Sequence, residues 1–280
     1  MTTVREALSA ATRQLVEAGV EDAEREAGWL LAHVMDLSAG ALRLRAGERL
    51  LPALWESFMQ LVRRRAAREP IQYILGTEEF MGMAFQVTPA VLIPRFDTET
   101  LVRSAAAHLS GPVRVADIGT GSGAVAIGLA SLLPDAQLVA VDISPAALAV
   151  AQANARTNGF GERIQFVQGD LVAPLTGRAF DAILSNPPYI GDAEWRGLAP
   201  EVQQYEPRLA LSPGDDDLTF YRRLAEEAVP LLKPGGFLAV EVGYQQAEPV
   251  AALFATAGLA VSRYRDTAGI ERVVLGRTAL

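Results

Sequence analysis

The chain has no cysteine, which removes disulfides, thiolate metal sites and cysteine nucleophiles from the chemistry open to it. It has two histidines, His33 and His108. These are too few for a histidine-rich metal centre, so no metal is expected. No apolar run approaches the ~18 residues that a membrane span needs. The first residues, Met1 to Ala10, include Arg5 and Glu6 and lack an apolar core of signal-peptide length, so they read as mature sequence. A soluble, cytoplasmic protein is expected. Positive charge is also scarce. Lys and Arg number 25 against 33 Asp and Glu, a net charge of -8, which argues against a broad phosphate-binding surface because that needs clustered cations. A local basic patch stays open.

With 280 residues the chain suits one full α/β domain plus a smaller partner, at about 150 residues per domain. Residues 1–76 read as a small helical bundle. Thr3-Val4-Arg5-Glu6 has the capping-box pattern, and Val4, Leu8, Ala11 and Leu15 then recur at helical spacing. Ala27, Leu30, Leu31 and Val34 mark a second helix, and Leu54, Phe58, Leu61 and Val62 a third that starts near Pro52. Arg63, Arg64, Arg65 and Arg68 close this module before Glu69-Pro70. They read as a solvated helix end whose cations suit the C-terminal dipole. The alternative is a surface for an acidic partner such as ribosomal RNA or a protein.

Residues 77–95 hold short β-compatible runs broken by Gly82 and Pro89, so a linking hairpin is expected. From residue 96 to 280 strand and helix patterns alternate, beginning with Val113 to Ile118 and Ala124 to Leu133. Such alternation predicts a parallel sheet with helices on both faces. The ending departs from it: strands near Leu259 to Arg265 and Arg272 to Leu275 are joined by a mere turn and must pair antiparallel.

Asp117-Ile118-Gly119-Thr120-Gly121-Ser122-Gly123 sits where the first strand of this sheet becomes a helix, so its glycines allow a tight turn and close approach of a ligand to backbone. Gly119, Gly121 and Ala124 also satisfy the loose dinucleotide pattern. Asp117 argues against two phosphates and for a cationic ligand such as the methionine portion of S-adenosylmethionine. Asp142 ends the next strand about 20 residues on, where an acid can accept from ribose hydroxyls. Asp170, after the third strand, is a candidate acceptor for an adenine amino group, and a solvated loop acid is the competing reading.

Asn186-Pro187-Pro188-Tyr189 follows the apolar strand Phe180 to Ser185, at the same sheet edge as the glycine loop. Two prolines fix the turn and remove two donors. The Asn186 side-chain oxygen and the Pro187 carbonyl can then accept both hydrogens of one planar NH2 group, with Tyr189 packed on its π face. Adenine, cytosine and a glutamine side chain all carry such a group.

The chain resembles the bacterial release-factor glutamine methyltransferases, the HemK or PrmC family. The likeness runs over nearly its whole length: Glu69-Pro70-Ile71-Gln72-Tyr73-Ile74-Leu75-Gly76, Val91-Leu92-Ile93-Pro94-Arg95, Asp97-Thr98-Glu99, the loop from Asp117 to Gly123, Asn186 to Ile190, and Tyr205-Glu206-Pro207-Arg208-Leu209-Ala210-Leu211. The resemblance implies a class I S-adenosylmethionine-dependent methyltransferase: a Rossmann-like seven-stranded sheet with its last strand antiparallel, behind an N-terminal helical substrate-recognition domain. It implies N5-methylation of the glutamine in the Gly-Gly-Gln loop of class 1 release factors, with S-adenosylhomocysteine as product; a monomer is expected. By position the cofactor contacts fall on Gly119, Thr120, Gly121, Ser122, Gly123, Asp142 and Asn186, and the substrate glutamine on Asn186, Pro187, Pro188 and Tyr189. Phe96 stands where the family usually has proline, Leu171 where an aromatic often covers the adenine, and Asp217 where glycine usually precedes leucine. A ribosomal-protein glutamine methyltransferase, an adenine-N6 nucleic-acid methyltransferase and a non-catalytic cofactor-binding module are the competing functions. An acidic chain with no separate base-reading module disfavours the second.

Overall fold

Helix α1 (Val4–Glu17) starts on a capping box. The Glu6 amide donates to the Thr3 hydroxyl at 3.3 Å while the Thr3 amide donates to the Glu6 carboxylate at 2.8 Å. Its buried face is Val4, Ala7, Ala11 and Leu15, with Leu8 half-buried beside it. The computed structural model describes residues 2–280, so Met1, the start of the stretch read as mature sequence, lies outside the described residues. The chain forms two compact units. The first runs up to Gly76 and also takes in Ala199–Tyr205. The second holds Thr77–Leu198 and Glu206–Leu280.

In the first unit α1 packs with α2 (Ala23–Val34), α3 (Ala39–Leu44), α4 (Pro52–Ala66) and α5 (Ile71–Leu75). The arginine run at the end of α4 is a solvated face only at Arg63 and Arg64, which are exposed. Arg65 is buried, three residues on from Val62 and seven from Phe58, and so belongs to the same inward stripe. It pairs with the buried Glu26 of α2 and, at 2.9 Å, with Glu201. Arg68 pairs with Glu201 at 2.8 Å and donates to the Ala18 and Gly19 carbonyls. Arg64 pairs with Glu69 at 2.6 Å. Glu26 and Glu201, distant in sequence, thus engage Arg65 and Arg68, two of the cations that the sequence reading left to solvent or to a partner.

The second unit opens with a hairpin of β1 (Thr77–Phe80) and β2 (Met83–Gln86), then α6 (Thr98–Ala106). Its sheet consists of β3 (Arg114–Ile118), β4 (Gln137–Asp142), β5 (Ile164–Gln168), β6 (Phe180–Ser185), β7 (Leu232–Glu241), β8 (Ala260–Arg265) and β9 (Glu271–Arg277). The order is β5-β4-β3-β6-β7-β9-β8. The first five strands are parallel, and β9, the last, is antiparallel to both of its neighbours. Neighbouring residues go to opposite faces: Val115, Leu138, Ala182 and Phe237 to one, Ala116, Val139, Ile183 and Leu238 to the other. The first face is covered by α6 and α7 (Ala124–Leu132), while α8 (Pro145–Thr157) links β4 to β5. The second face carries α11 (Thr219–Glu227) and α12 (Ala247–Thr256). After β6 come α9 (Asp192–Trp195) and α10 (Pro200–Tyr205), the latter being the excursion into the first unit. Among the described residues no helix is long and apolar enough to cross a membrane. This is the class I methyltransferase architecture.

Candidate active site

The parallel strands β3, β4 and β6 end at one edge of the sheet, and the loops leaving them enclose a cavity of about 420 Å³. Open α/β sheets bind ligands at this edge.

The loop after β3 supplies Gly119, Thr120, Gly121 and Ser122 to the wall. Gly119 and Gly121 adopt left-handed φ of 72° and 55°, and a Cβ on either would meet nothing within 4 Å among the described residues. Bare backbone therefore faces open space. Gly123, at φ 86°, packs differently: it caps α7, and a Cβ there would lie 3.2 Å from the Ala151 Cβ. Asp117 lies beneath the loop. It is 1% exposed, and its Oδ2 accepts from the Thr120 hydroxyl at 2.6 Å and the Ala126 amide at 3.1 Å. Its Oδ1 has no hydrogen-bond partner among the described residues. Burial pushes its pKa up to about 7, against the pull of those two donors.

Asp142 reaches the wall from the end of β4. Its two oxygens accept from the Gly121 and Ser144 amides, each at 2.9 Å, so it also braces the glycine loop. Ser144 caps α8 by accepting from the Ala147 amide at 3.2 Å. Asp170 and Leu171 line the cavity as well. Asp170 is paired with Arg223 of α11 at 2.9 Å, and Leu171 holds a left-handed φ of 47°.

On the β6 side Asn186, Pro187 and Pro188 form the wall. The Asn186 Nδ2 donates to the Thr98 hydroxyl oxygen at 3.2 Å, which leaves its Oδ1 as an acceptor. Tyr189 lies behind the wall. Its amide donates to the Leu211 carbonyl at 3.1 Å, and its hydroxyl donates to Glu241 Oε1 at 3.3 Å. Burial, reinforced by the Glu241 charge, pushes the hydroxyl's pKa up.

Several supporting residues carry no local motif. Gln246 donates to the Tyr189 carbonyl at 3.0 Å and to Asp217 Oδ2 at 2.8 Å, so the unusual Asp217 adds a link behind the tetrapeptide. Glu206, 6% exposed, accepts from the Ile93 amide at 3.2 Å and pairs with Arg95 at 2.5 Å, joining the connector to the segment after α10. The buried Asn154 of α8 exchanges hydrogen bonds with the Gln86 backbone at 2.7 and 3.0 Å and donates to the Ser122 carbonyl at 2.9 Å. Thr98, Glu206 and Asp217 fell at positions that the sequence singled out, although not for these contacts, whereas Gln246 and Asn154 did not. These two act across the fold.

Residues 6–76 match the family described as the PrmC N-terminal domain, and residues 95–199 match the methyltransferase small domain. A release factor glutamine methyltransferase of Geobacter sulfurreducens is 46% identical over 276 residues, 98% of this chain and 96% of that protein. One of Moorella thermoacetica is 47% identical over 281 residues, 98% of each. Among solved structures, a methyltransferase from Pyrococcus furiosus aligns with a TM-score of 0.53 at 19% identity, over 71% of this chain and 91% of that one, a likeness of fold. With both domain families in order, and relatives this similar from end to end, the chain belongs to the release factor glutamine methyltransferase family.

Proposed function

We propose that the chain is a protein-(glutamine-N5) methyltransferase, a cytoplasmic monomer that uses S-adenosylmethionine to methylate the Gly-Gly-Gln glutamine of class 1 release factors. In this reading residues 1–76 recognise the substrate, 77–95 link, and 96–280 bind the donor and perform the transfer. The acceptor is inferred from the names of the relatives. The chemistry rests on one observation: Asn186 donates an amide hydrogen to the Thr98 hydroxyl oxygen and keeps its own oxygen as an acceptor on the cavity wall.

Three features support the donor. The backbone at Gly119 and Gly121 is bare toward open space. The Asp142 oxygens, each already holding one amide, retain lone pairs for ribose hydroxyls. Leu171 and Ile143 offer apolar contact for a flat base, beside the Asp170 carboxylate. When bound, S-adenosylmethionine supplies an electrophilic methyl group on a sulfonium.

An amide nitrogen is a poor nucleophile because its lone pair is shared with its carbonyl. Asn186 Oδ1 and the Pro187 carbonyl answer this by holding both N–H groups, which aims the nitrogen's face and favours the positive charge that develops on it. The nitrogen gains a carbon and sheds one hydrogen as a proton, so no covalent enzyme intermediate is needed. The prolines keep competing N–H donors away from these acceptors.

The test is transfer from labelled S-adenosylmethionine to purified release factor, ribosomal protein and unmethylated duplex DNA, offered separately. Label should enter the release factor and vanish when its Gly-Gly-Gln glutamine is replaced. Label in DNA alone would overturn the reading. Asn186→Ala should lower kcat by about 100-fold or more with donor affinity nearly unchanged.

A further inference from the structure

The last residue of the tetrapeptide is held by a glutamine that the scheme above does not use. The amides of Tyr189 and Ile190 both donate to the Leu211 carbonyl, at 3.1 and 2.9 Å. The Tyr189 carbonyl is held separately, by Gln246 Nε2 at 3.0 Å. Gln246 directly precedes α12 and is 7% exposed. Its second Nε2 hydrogen goes to Asp217 Oδ2 at 2.8 Å, and its Oε1 accepts from the Gly243 amide at 3.0 Å and the Tyr221 hydroxyl at 3.2 Å. Packing around it is equally closed, for a Cβ on Gly243 would lie 2.8 Å from Gln246 Oε1 and 3.0 Å from the Tyr189 ring.

Two of these four partners are main-chain groups, a carbonyl that can only accept and an N–H that can only donate, so the Gln246 amide has a single orientation. Displacing it would leave several buried polar groups unpaired at once. Neither Gln246 nor Asp217 lines the cavity, so neither touches the donor. Their reach into the site runs along the chain. Pro187, whose carbonyl is one of the two acceptors, lies two residues before Tyr189, and the Pro188 ring between them fixes its own φ. A shift at Tyr189 therefore passes to the Pro187 carbonyl with little absorbed on the way, and misplacing a positioning group by about 1 Å can cost about 100-fold in rate.

We propose that Gln246 is a positioning residue for methyl transfer: by holding the Tyr189 carbonyl it fixes, through the stiff Pro188, where the Pro187 carbonyl meets the substrate NH2. Asp217 locks Gln246 in that pose, with a side chain that the glycine usual at this position lacks. The inference rests on reading Asn186 and Pro187 as the acceptors for the substrate amide. It makes the segments before α11 and α12, which supply neither acceptor, responsible for the placement of one of them.

The variants Gln246→Leu, Gln246→Glu, and Gln246→Glu combined with Asp217→Asn separate positioning from packing, assayed for kcat with release factor, donor affinity by calorimetry, and stability by denaturant melts. Gln246→Leu removes both donors and should lower kcat by about 10- to 100-fold, with donor affinity little changed. Gln246→Glu keeps the shape but sets an oxygen against the Tyr189 carbonyl and the Asp217 carboxylate, so stability should fall as well as kcat. Adding Asp217→Asn gives the new carboxylate a donor to face. The combined variant should recover most of that stability while kcat stays low, because the Tyr189 carbonyl is still opposed by an oxygen. Wild-type kcat in Gln246→Leu, or kcat that recovers in step with stability in the combined variant, would overturn the positioning role and leave the Asn186 reading intact. Wild-type kcat in Asn186→Ala would overturn both.

Discussion

Two fully buried carboxylates under one site should make this fold less stable as the solution becomes more basic. Burial raises Asp117 from 3.8 to about 7 and Glu241 from 4.5 to about 7. A group whose pKa is raised by folding favours the neutral form. Its stabilising share is complete below its unfolded value and is lost as pH rises through the folded one. At about 1.4 kcal/mol per pH unit, the interval costs about 4 kcal/mol at Asp117 and about 3 kcal/mol at Glu241. The opposite trend comes from Asp181, held below the usual range by the Arg114 amide and Lys233, and from Glu201, held down by Arg68 and Arg65, but it is complete by about pH 5. Stability of the ligand-free protein should therefore peak near pH 5 and fall toward pH 8. Urea unfolding followed by circular dichroism at pH 5, 6, 7 and 8 measures the fall directly. Glu241→Gln removes one of the two groups, so its fall should be smaller by about 3 kcal/mol. A flat profile from pH 5 to 8, or an identical fall in the variant, would refute the assignment of buried charge.

The glycine loop predicts a contrast. Both Gly119→Ala and Gly123→Ala should cost about 1–2 kcal/mol for their left-handed backbone, but Gly123→Ala, crowded by Ala151, should cost more stability, whereas Gly119→Ala, facing open space, should act more on donor binding; calorimetry and denaturant melts separate the two. Arg65→Met leaves Glu26 buried without its main partner and should destabilise by about 3–5 kcal/mol, while Arg63→Met, on the exposed side of α4, should change little in the same melts. Asn154→Ala removes the brace between Gln86 and Ser122, and should lower donor affinity with kcat at saturation largely kept.

Local signals in the sequence were accurate where a local mechanism wrote them. The Thr3 box and the Ser144 cap are short-range hydrogen bonds, and both occur. The antiparallel ending follows because a turn through Asp266 to Ile270 is too short for a crossover. Where register decided, the pattern misled: Lys233-Pro234-Gly235-Gly236 looks like a turn, yet β7 begins at Leu232, and a bulge opposite Phe180 and Ala182 absorbs the irregularity. Helix α6 was not read as a helix, although Thr98 on its first turn holds Asn186. Glu241 and Gln246 resemble any acid and amide near a strand end, because their partners lie 52 and 57 residues away at Tyr189. The arginine run could have been read better: Arg65 alone of the four keeps step with Phe58 and Val62.

The excursion of Ala199–Tyr205 bears on how such a protein can be recombined. A cut after Gly76 looks like a natural joint, but the amino-terminal piece would lack α10 and the Glu201 carboxylate that engages Arg65 and Arg68. Exchange of substrate-recognition modules between relatives should therefore transplant two stretches of sequence at once, with residues 199–205 travelling alongside the first 76. Chimeras joined at a single point would inherit mismatched charges, and variation at Glu201 would be tied to variation at Arg65 although 136 positions separate them in the chain.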